Sequence, residues 1–241
     1  MNAAPTAPPP CAPLSTRDLR SFTAAAEKKI LIALAGRLPA WIGPDHLTAL
    51  GVIGMAGAGL CYRFLAVSPL ALLGVNLFLF LNWFGDSLDG TLARVRQKQR
   101  PRYGFYVDHL VDAFGAIFLL GGLATSGLLS PYAALALLVA YMLLQIHIAL
   151  KAHTTRVFQI AFAGIGGTEA RILLGGLNLA LLAWPGIQVV VTPLAWLAAL
   201  ALAGVVVADG VRTGRALDRE ERLLWNEGWL RTPLGPSTGP C

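Results

Sequence analysis

Four aspartates at short, regular intervals are the residues of this chain best suited to chemistry. They are Asp86, Asp89, Asp108 and Asp112, and they lie near the ends of two otherwise apolar segments. A charge inside an apolar segment is costly to keep and is usually functional. Neighbouring carboxylates also repel one another, and a bound divalent cation relieves that repulsion. Because hard oxygen ligands suit Mg²⁺ or Mn²⁺, the sequence predicts a metal site.

The spacing of the aspartates predicts that each pair shares one face of a helix. Residues three or four apart lie on the same side of a helix, which groups Asp86 with Asp89 and Asp108 with Asp112. The connection between the two helices, residues 94–103, is short, so we expect them to be antiparallel neighbours. Both pairs then lie roughly one to two turns from the membrane boundary. All four carboxylates are then expected to converge on one or two metal ions, and two is the number that we favour.

The elements that must position these residues are predicted to be transmembrane helices. Of the 241 residues, 56% are hydrophobic and only 13% are charged, about half the charged fraction of a soluble domain. The apolar stretches run long enough to cross a bilayer, for which a helix needs roughly 20 residues. We therefore expect an all-α integral membrane protein with six transmembrane helices, preceded by an amphipathic interfacial helix. The predicted spans are residues 47–66, 69–92, 105–127, 131–150, 172–185 and 189–208.

The remaining segments complete a four-part organisation. Residues 1–14 are rich in Pro and Ala and are predicted to form a disordered tail. Residues 15–43 alternate charged and apolar positions, as expected for an amphipathic helix on a membrane surface that begins with a capping box. Residues 44–211 form the predicted transmembrane catalytic domain. Residues 212–241 are predicted to continue the last helix on the cytoplasmic side and to end as a tail.

The distribution of basic residues predicts the orientation of the chain. Of the 19 Lys and Arg residues, all but Arg63 fall on the side that both termini share in a six-span arrangement. Basic residues accumulate on the cytoplasmic side, so we expect a multi-pass protein of a bacterial inner membrane, with both termini and the aspartates facing the cytoplasm. This bias also accounts for the net charge of +6, and no nucleic acid partner is expected. The three cysteines form no disulfide or zinc pattern.

Glycines and basic residues surround the aspartates. Gly90 and Gly104 remove side-chain bulk and would let a phosphorylated ligand approach the backbone. The connecting loop is basic, and guanidinium groups beside metals are suited to holding a pyrophosphate. Arg94 is the loop residue that we expect to contact such a ligand. For the other basic residues of the loop, a topological charge is the favoured interpretation; they are Arg96, Lys98, Arg100 and Arg102.

Taken together, the pattern D-x-x-D-G-x-x-A-R followed by G-x-x-x-D-x-x-x-D resembles the signature of the CDP-alcohol phosphotransferase family. All eight signature positions are present between Asp86 and Asp112, although the loop before Gly104 is slightly longer than the commonest spacing. The six-span plan and the amphipathic N-terminal helix are also similar to the family, over about residues 15–210.

This resemblance implies a reaction in which a hydroxyl attacks the phosphate distal to cytidine in a CDP-alcohol and CMP departs. Asp112 would complete the metal cluster and would also be the candidate base for that hydroxyl. The residues implied to bind metal are Asp86, Asp89, Asp108 and Asp112. The residues implied to line the CDP pocket are Gly90, Ala93, Arg94 and Gly104. The resemblance also implies a homodimer among the partners, beside the CDP-alcohol, the hydroxyl acceptor and membrane lipid.

A second polar cluster lies between the fourth and fifth predicted spans. Lys151, Arg156 and Arg171 are candidates for binding a polar part of the acceptor. The turn at residues 166–169 is either an anion site at a helix N-terminus or a capped helix start, and the sequence leaves both open. His109 directly follows a motif aspartate, and a packing or hydrogen-bonding role is favoured over catalysis.

Three functional hypotheses remain at this point. In the leading one, CDP-diacylglycerol donates to a soluble alcohol in phospholipid synthesis, because the second basic cluster would suit an anionic acceptor. In the alternative, CDP-choline or CDP-ethanolamine donates to diacylglycerol, a branch in which Asp-His recurs at the position of Asp108 and His109. A cation transporter or channel belongs to another class; it predicts ion flux without CMP and gives the motif glycines no role.

Overall fold

The computed structural model describes residues 17–18, 24–155, 158–159 and 166–226, and within these ranges the chain is almost entirely helical. A two-residue strand β1 (Arg17–Asp18) pairs in parallel with a two-residue strand β2 (Phe158–Gln159), and a short 3₁₀ turn covers Pro185–Ile187. The helices are α1 (Ala24–Arg37), α2 (Pro44–Arg63), α3 (Ala71–Val95), α4 (Pro101–Ala124), α5 (Pro131–Thr155), α6 (Gly167–Ala183) and α7 (Gln188–Asn226).

Four of these helices are long and apolar enough to cross a membrane: α3, α4, α5 and α7 together with its preceding turn. The other two predicted spans are also helical but are weaker candidates. The 17 residues of α6 fall short of the about 20 that span a bilayer. Helix α2 begins with a polar turn and contains several glycines, which lower its mean hydropathy. The all-helical architecture is therefore observed, whereas the count of six spans stays a prediction.

The N-terminal part of the chain differs from the prediction, whereas the C-terminal part agrees with it. Arg17 and Asp18 are extended and pair with β2, so the predicted helix does not include them. Helix α1 covers Ala24–Arg37, and the predicted capping residue Ser15 lies outside the described residues. At the other end α7 runs without interruption to Asn226, as predicted for a charged continuation of the last helix. Both predicted tails, at residues 1–14 and beyond 226, lie outside the described residues.

Helix α1 has one buried face, which it packs against α3. Leu31 and Ala35 are buried in a small cluster with Leu88 and Leu92 of α3. Lys28 and Lys29 are exposed, as are Ile30 and Ile32. The helix therefore has one buried face, and its amphipathic location at a membrane surface stays a prediction.

Glycines let α2 pack closely against both motif helices. A Cβ atom at Gly54 would lie 2.6 Å from the backbone nitrogen of Asn82 in α3, and one at Gly122 of α4 would lie 2.0 Å from the carbonyl oxygen of Gly59. No larger residue fits at such distances, so the backbones are in direct contact. Among the described residues, α3 and α4 pack mainly on α2 and hardly on each other. The two helices are therefore neighbours across a space that residues of both line, without close backbone packing.

Candidate functional site

All eight motif residues line two adjoining cavities that lie between α3 and α4. The first cavity has a volume of about 600 Å³ and is also lined by the first turn of α2 and the end of α5. The second has a volume of about 300 Å³ and is mostly apolar. Asp89 and Thr48 line both. The motif residues of the first cavity are Asp89, Gly90, Ala93, Arg94, Gly104 and Asp108. Those of the second are Asp86, Asp89 and Asp112.

The fold brings the four carboxylates close enough to interact electrostatically. Asp89 is repelled by both Asp86 and Asp108, and Asp112 is repelled by the same two residues. This mutual repulsion follows directly from the packing of α3 and α4 on either side of the cavities. The fold thus concentrates four formal negative charges in a largely apolar surrounding, an arrangement that calls for compensating positive charge.

Asp89 is largely buried and is held by two hydrogen bonds. Asp89 is only 8% exposed. The hydroxyl of Thr48 donates a hydrogen bond of 2.6 Å to Oδ2 of Asp89. The backbone N–H of Gly90 donates to Oδ1. Thr48 was not among the predicted site residues. A hydroxyl near the start of an otherwise apolar helix was a signal that could have identified it.

A guanidinium group supplies part of the compensating charge. Arg171 of α6 donates from Nη2 to Oδ2 of Asp86 and from Nε to Oδ1 of Asn82, each at 2.7 Å. Asn82 in turn donates to the carbonyl oxygen of Gly51, at 2.9 Å. Arg171 was predicted to lie near an acceptor, and the structure places it against the motif itself, at the second cavity.

The carboxylates do not form a finished metal cage. Within the described residues, no group of three or more Asp, Glu, His or Cys side chains lies close enough to a common point to hold a metal ion. Asp86 is engaged by Arg171 and Asp89 by Thr48, which turns these two side chains toward protein partners. The donor set nevertheless fits a divalent cation in its chemistry, since it offers hard carboxylate oxygens whose repulsion a cation would relieve. Convergence on one ion requires side-chain rotation from the positions seen here.

The two motif glycines face open space and are not needed for helix packing. A Cβ atom at Gly104 would meet nothing within 4 Å, and one at Gly90 would meet only the end of the Arg94 side chain, at 3.5 Å. Both glycines line the first cavity. This contrasts with Gly54 and Gly122, which are required by helix contacts. Helix packing therefore gives no reason for a glycine at either position.

The basic residues of the loop divide into two groups. Arg96 donates to the carbonyl oxygens of Leu38 and Pro39, at 3.0 and 2.9 Å, and also to that of Ile42. It thereby binds the carbonyl groups that follow the C-terminal end of α1, a common role for a cation at that place. Arg100 pairs with Asp45 and, unlike Arg96, also lines the first cavity. Both residues have partners within the fold, and the topological role of the loop charges stays a prediction.

Arg94, Lys98 and Arg102 line the first cavity. Arg94 also donates to the hydroxyl of Thr91, at 2.9 Å, which fixes its guanidinium beside the cavity. The expectation that Arg94 faces a ligand site agrees with this position. Lys98 and Arg102, for which only a topological role was favoured, have the same access to the cavity.

Of the remaining two acceptor candidates, one lies elsewhere and one is not described. Lys151 donates to Oδ2 of Asp209 in α7, at 2.6 Å, and His147 lies 2.8 Å from the same oxygen. Lys151 contributes to neither cavity, because this ion pair holds its side chain against α7. Its role in acceptor binding stays a prediction. Arg156 lies outside the described residues.

The start of α6 favours the capped-helix alternative. The backbone N–H of Gly166 donates to the carboxylate of Glu169, at 2.9 Å, and a carboxylate at this position opposes the approach of an anion.

His109 has a packing and hydrogen-bonding contact with Phe105. Its Nδ1 lies 2.9 Å from the carbonyl oxygen of Phe105, and the centroids of the two rings are 4.2 Å apart.

Comparison with known proteins leaves the family open. The chain matches no family model, and no curated protein is significantly similar to it. The resemblance therefore rests on the eight motif residues and on their grouping around the two cavities.

Proposed function

We propose that this chain is a membrane-embedded CDP-alcohol phosphotransferase whose reaction releases CMP. The observation that carries the proposal is the grouping of all eight motif residues around two adjoining cavities that share Asp89. In the proposed topology α2 to α7 are six spans, α1 lies on the cytoplasmic surface, and the first cavity opens to the cytoplasm.

The first cavity is the proposed site of the CDP group. Gly90 and Gly104 leave room for a ligand to approach the backbone, and no packing need explains them. Arg94, Lys98 and Arg102 supply positive charge at the same cavity, as the two phosphates of CDP require. A volume of about 600 Å³ lies within the range of small-molecule sites.

Asp112 is the proposed base. It lines the second cavity beside Asp86 and Arg171, so an acceptor hydroxyl entering there would meet its carboxylate. Asp112 takes the hydroxyl proton while the hydroxyl oxygen forms a bond to the distal phosphorus. The bond from that phosphorus to the oxygen of CMP breaks, and the electron pair leaves with CMP.

The residues that would hold the divalent cations are Asp86, Asp89, Asp108 and Asp112. When bound, Mg²⁺ or Mn²⁺ would polarise the reacting phosphoryl group and stabilise the leaving CMP. Arg171 would hold Asp86 in place and balance part of the negative charge. Asn82 would orient the Arg171 guanidinium by accepting from Nε.

CDP-diacylglycerol remains the leading donor. With CDP in the first cavity, Arg171 at the second cavity could contact a polar acceptor. One observation favours the alternative in which CDP-choline or CDP-ethanolamine donates to diacylglycerol. The second cavity is lined largely by apolar side chains, including Leu120, Leu137 and Leu174, which suit a hydrocarbon acceptor. The engagement of Lys151 with Asp209 also removes one argument for an anionic acceptor.

The test is CMP release by the purified full-length protein with Mg²⁺ or Mn²⁺. CDP-diacylglycerol with a panel of soluble alcohols is compared with CDP-choline or CDP-ethanolamine plus diacylglycerol. The proposal predicts metal-dependent CMP release from one donor and its loss in Asp112→Asn. Asp218→Asn, at an exposed position of α7, is the matched control and should retain activity.

Two results would contradict the proposal. The first is CMP release that is equal in Asp112→Asn and in the control. The second is the absence of CMP with every donor, accompanied by ion flux in liposomes that Asp112→Asn abolishes, which would instead favour a cation transporter.

A further inference from the structure

A carboxylate outside the motif joins three helices next to the site. Oε1 of Glu27 in α1 accepts hydrogen bonds from the indole N–H of Trp83 at 2.7 Å and from the hydroxyl of Ser87 at 3.0 Å. The same oxygen accepts from the hydroxyl of Thr168 at 3.0 Å. Trp83 and Ser87 belong to α3, and Thr168 belongs to the first turn of α6. Hydrogen bonds to an ionised acceptor are stronger than neutral ones, so three on one oxygen form a firm junction.

The donors to Glu27 lie next to the residues that connect α3 and α6 at the site. Ser87 directly follows Asp86, and Thr168 precedes Arg171 by three residues, which places it on the same side of α6. Asp86 and Arg171 themselves form the 2.7 Å ion pair. Near the motif, α6 is therefore held against α3 by the contacts of Arg171 with Asp86 and Asn82 and by the bridge through Glu27. Farther along the same two helices, Asn76 forms hydrogen bonds with Gly175 and Asn178.

We infer that Glu27 is a positioning residue for the motif, fixing α6 against α3 so that Arg171 meets Asp86 at the second cavity. This inference rests on the proposed function for its catalytic consequence but not for its structural part. Glu27 itself lines neither cavity, so it acts through Asp86 and Arg171. Small displacements of reacting groups are costly to a rate, and a shift of 1 Å can cost about 100-fold.

The exposed neighbours of Glu27 offer a natural contrast. Lys28 and Lys29 follow it in α1 but point to solvent. A helix that served only to cover the membrane surface would depend on these lysines and on the buried face, not on Glu27. The junction thus gives α1 a second task beside packing, which is to set the relation between two helices of the site.

The experiment compares Glu27→Ala, Glu27→Gln and Thr168→Val in the full-length protein, with Glu220→Ala in the exposed part of α7 as the control. We expect Glu27→Ala to lower kcat/KM roughly 10- to 100-fold, mainly through kcat, because the groups that act on the acceptor are displaced. Glu27→Gln retains an acceptor oxygen and should recover part of the activity. The double variant Glu27→Ala/Thr168→Val should be little worse than Glu27→Ala alone, since both remove the same link.

A second readout separates this inference from the proposed function. The Tm of the same variants in detergent is measured as a double-mutant cycle between positions 27 and 168. If the Tm shift of the double variant is smaller than the sum of the two single-variant shifts, the bridge is supported. This holds even if no donor yields CMP and the proposed reaction fails. Additive Tm shifts overturn the bridge. With an active wild type, a kcat/KM of Glu27→Ala within about twofold of the control overturns the positioning role.

Discussion

The guanidinium of Arg171 lies 2.7 Å from the carboxylate of Asp86, which ties α6 to the helix that carries the first half of the motif. The same guanidinium reaches Asn82 one turn earlier in α3. One planar side chain thus holds two positions of α3 through two different nitrogens. The site therefore depends on helices that carry no motif residue, among them α6 through Arg171 and α2 through Thr48.

The two hydrogen bonds of Arg171 predict that lysine cannot replace it. A single ammonium group lacks the rigid fork that reaches Asn82 and Asp86 together. We expect Arg171→Lys to lower kcat/KM about tenfold, with Arg222→Lys at an exposed position of α7 as the matched control. Steady-state assays of CMP release provide the measurement. If Arg171 also contacts an anionic acceptor, Arg171→Ala will raise the acceptor KM as well; an unchanged acceptor KM limits it to positioning. Equal activity of Arg171→Lys and the control would contradict both roles.

The motif glycines and the packing glycines should respond differently to alanine. At Gly90 or Gly104 an added Cβ has space in the fold but enters the first cavity, so the donor KM should rise roughly tenfold with Tm unchanged or slightly higher. At Gly54 the added Cβ would meet the backbone of Asn82, and the free energy of unfolding should fall by about 2 kcal/mol. Thermal unfolding and CMP kinetics on the three variants separate the effects. A lower Tm for Gly104→Ala, with unchanged donor KM, would refute the cavity role.

Arg96 and Lys98 lie two residues apart and should have opposite phenotypes. Arg96→Ala removes the cation that binds the carbonyl groups after α1, so Tm should fall while the donor KM stays unchanged. Lys98→Ala leaves the fold intact but removes positive charge from the first cavity, so the donor KM should rise and Tm should hold. Each variant serves as the control of the other. Indistinguishable kinetics and stability in the two would argue against this division of the loop.

The ion pair between Lys151 and Asp209 is expected to stabilise the contact of α5 with α7. Both side chains are largely buried, with 15% and 20% exposure, so Asp209→Asn removes the anion that faces the Lys151 ammonium. The free energy of unfolding should fall by about 3 kcal/mol, and Lys151→Met in the same background should recover part of it. Thermal unfolding in detergent is the measurement. A raised acceptor KM for Lys151→Met at unchanged Tm would instead return Lys151 to acceptor binding.

The helical part of the fold was predictable because its signals are local. Long apolar stretches and their polar connections predicted helices at all six expected places, with boundaries shifted by a few residues. The extended conformation of Arg17 and Asp18 was not predictable, since these residues pair with the distant Phe158–Gln159 segment. Pairing between two segments that lie far apart in the chain produces no recognisable local sequence pattern.

The sequence by itself determined which residues share a helix face, since the helical repeat alone places Asp86 beside Asp89 and Asp108 beside Asp112. It also determined the character of the chain, four of whose helices are apolar and long enough for a membrane. Only the tertiary structure decided the partners: Arg171 with Asp86, Lys151 with Asp209, and Glu27 with both α3 and α6. The physical reason is that a side chain's partner depends on how helices rotate and approach one another. That relation is set by contacts such as Gly54 on Asn82, between residues far apart in the chain.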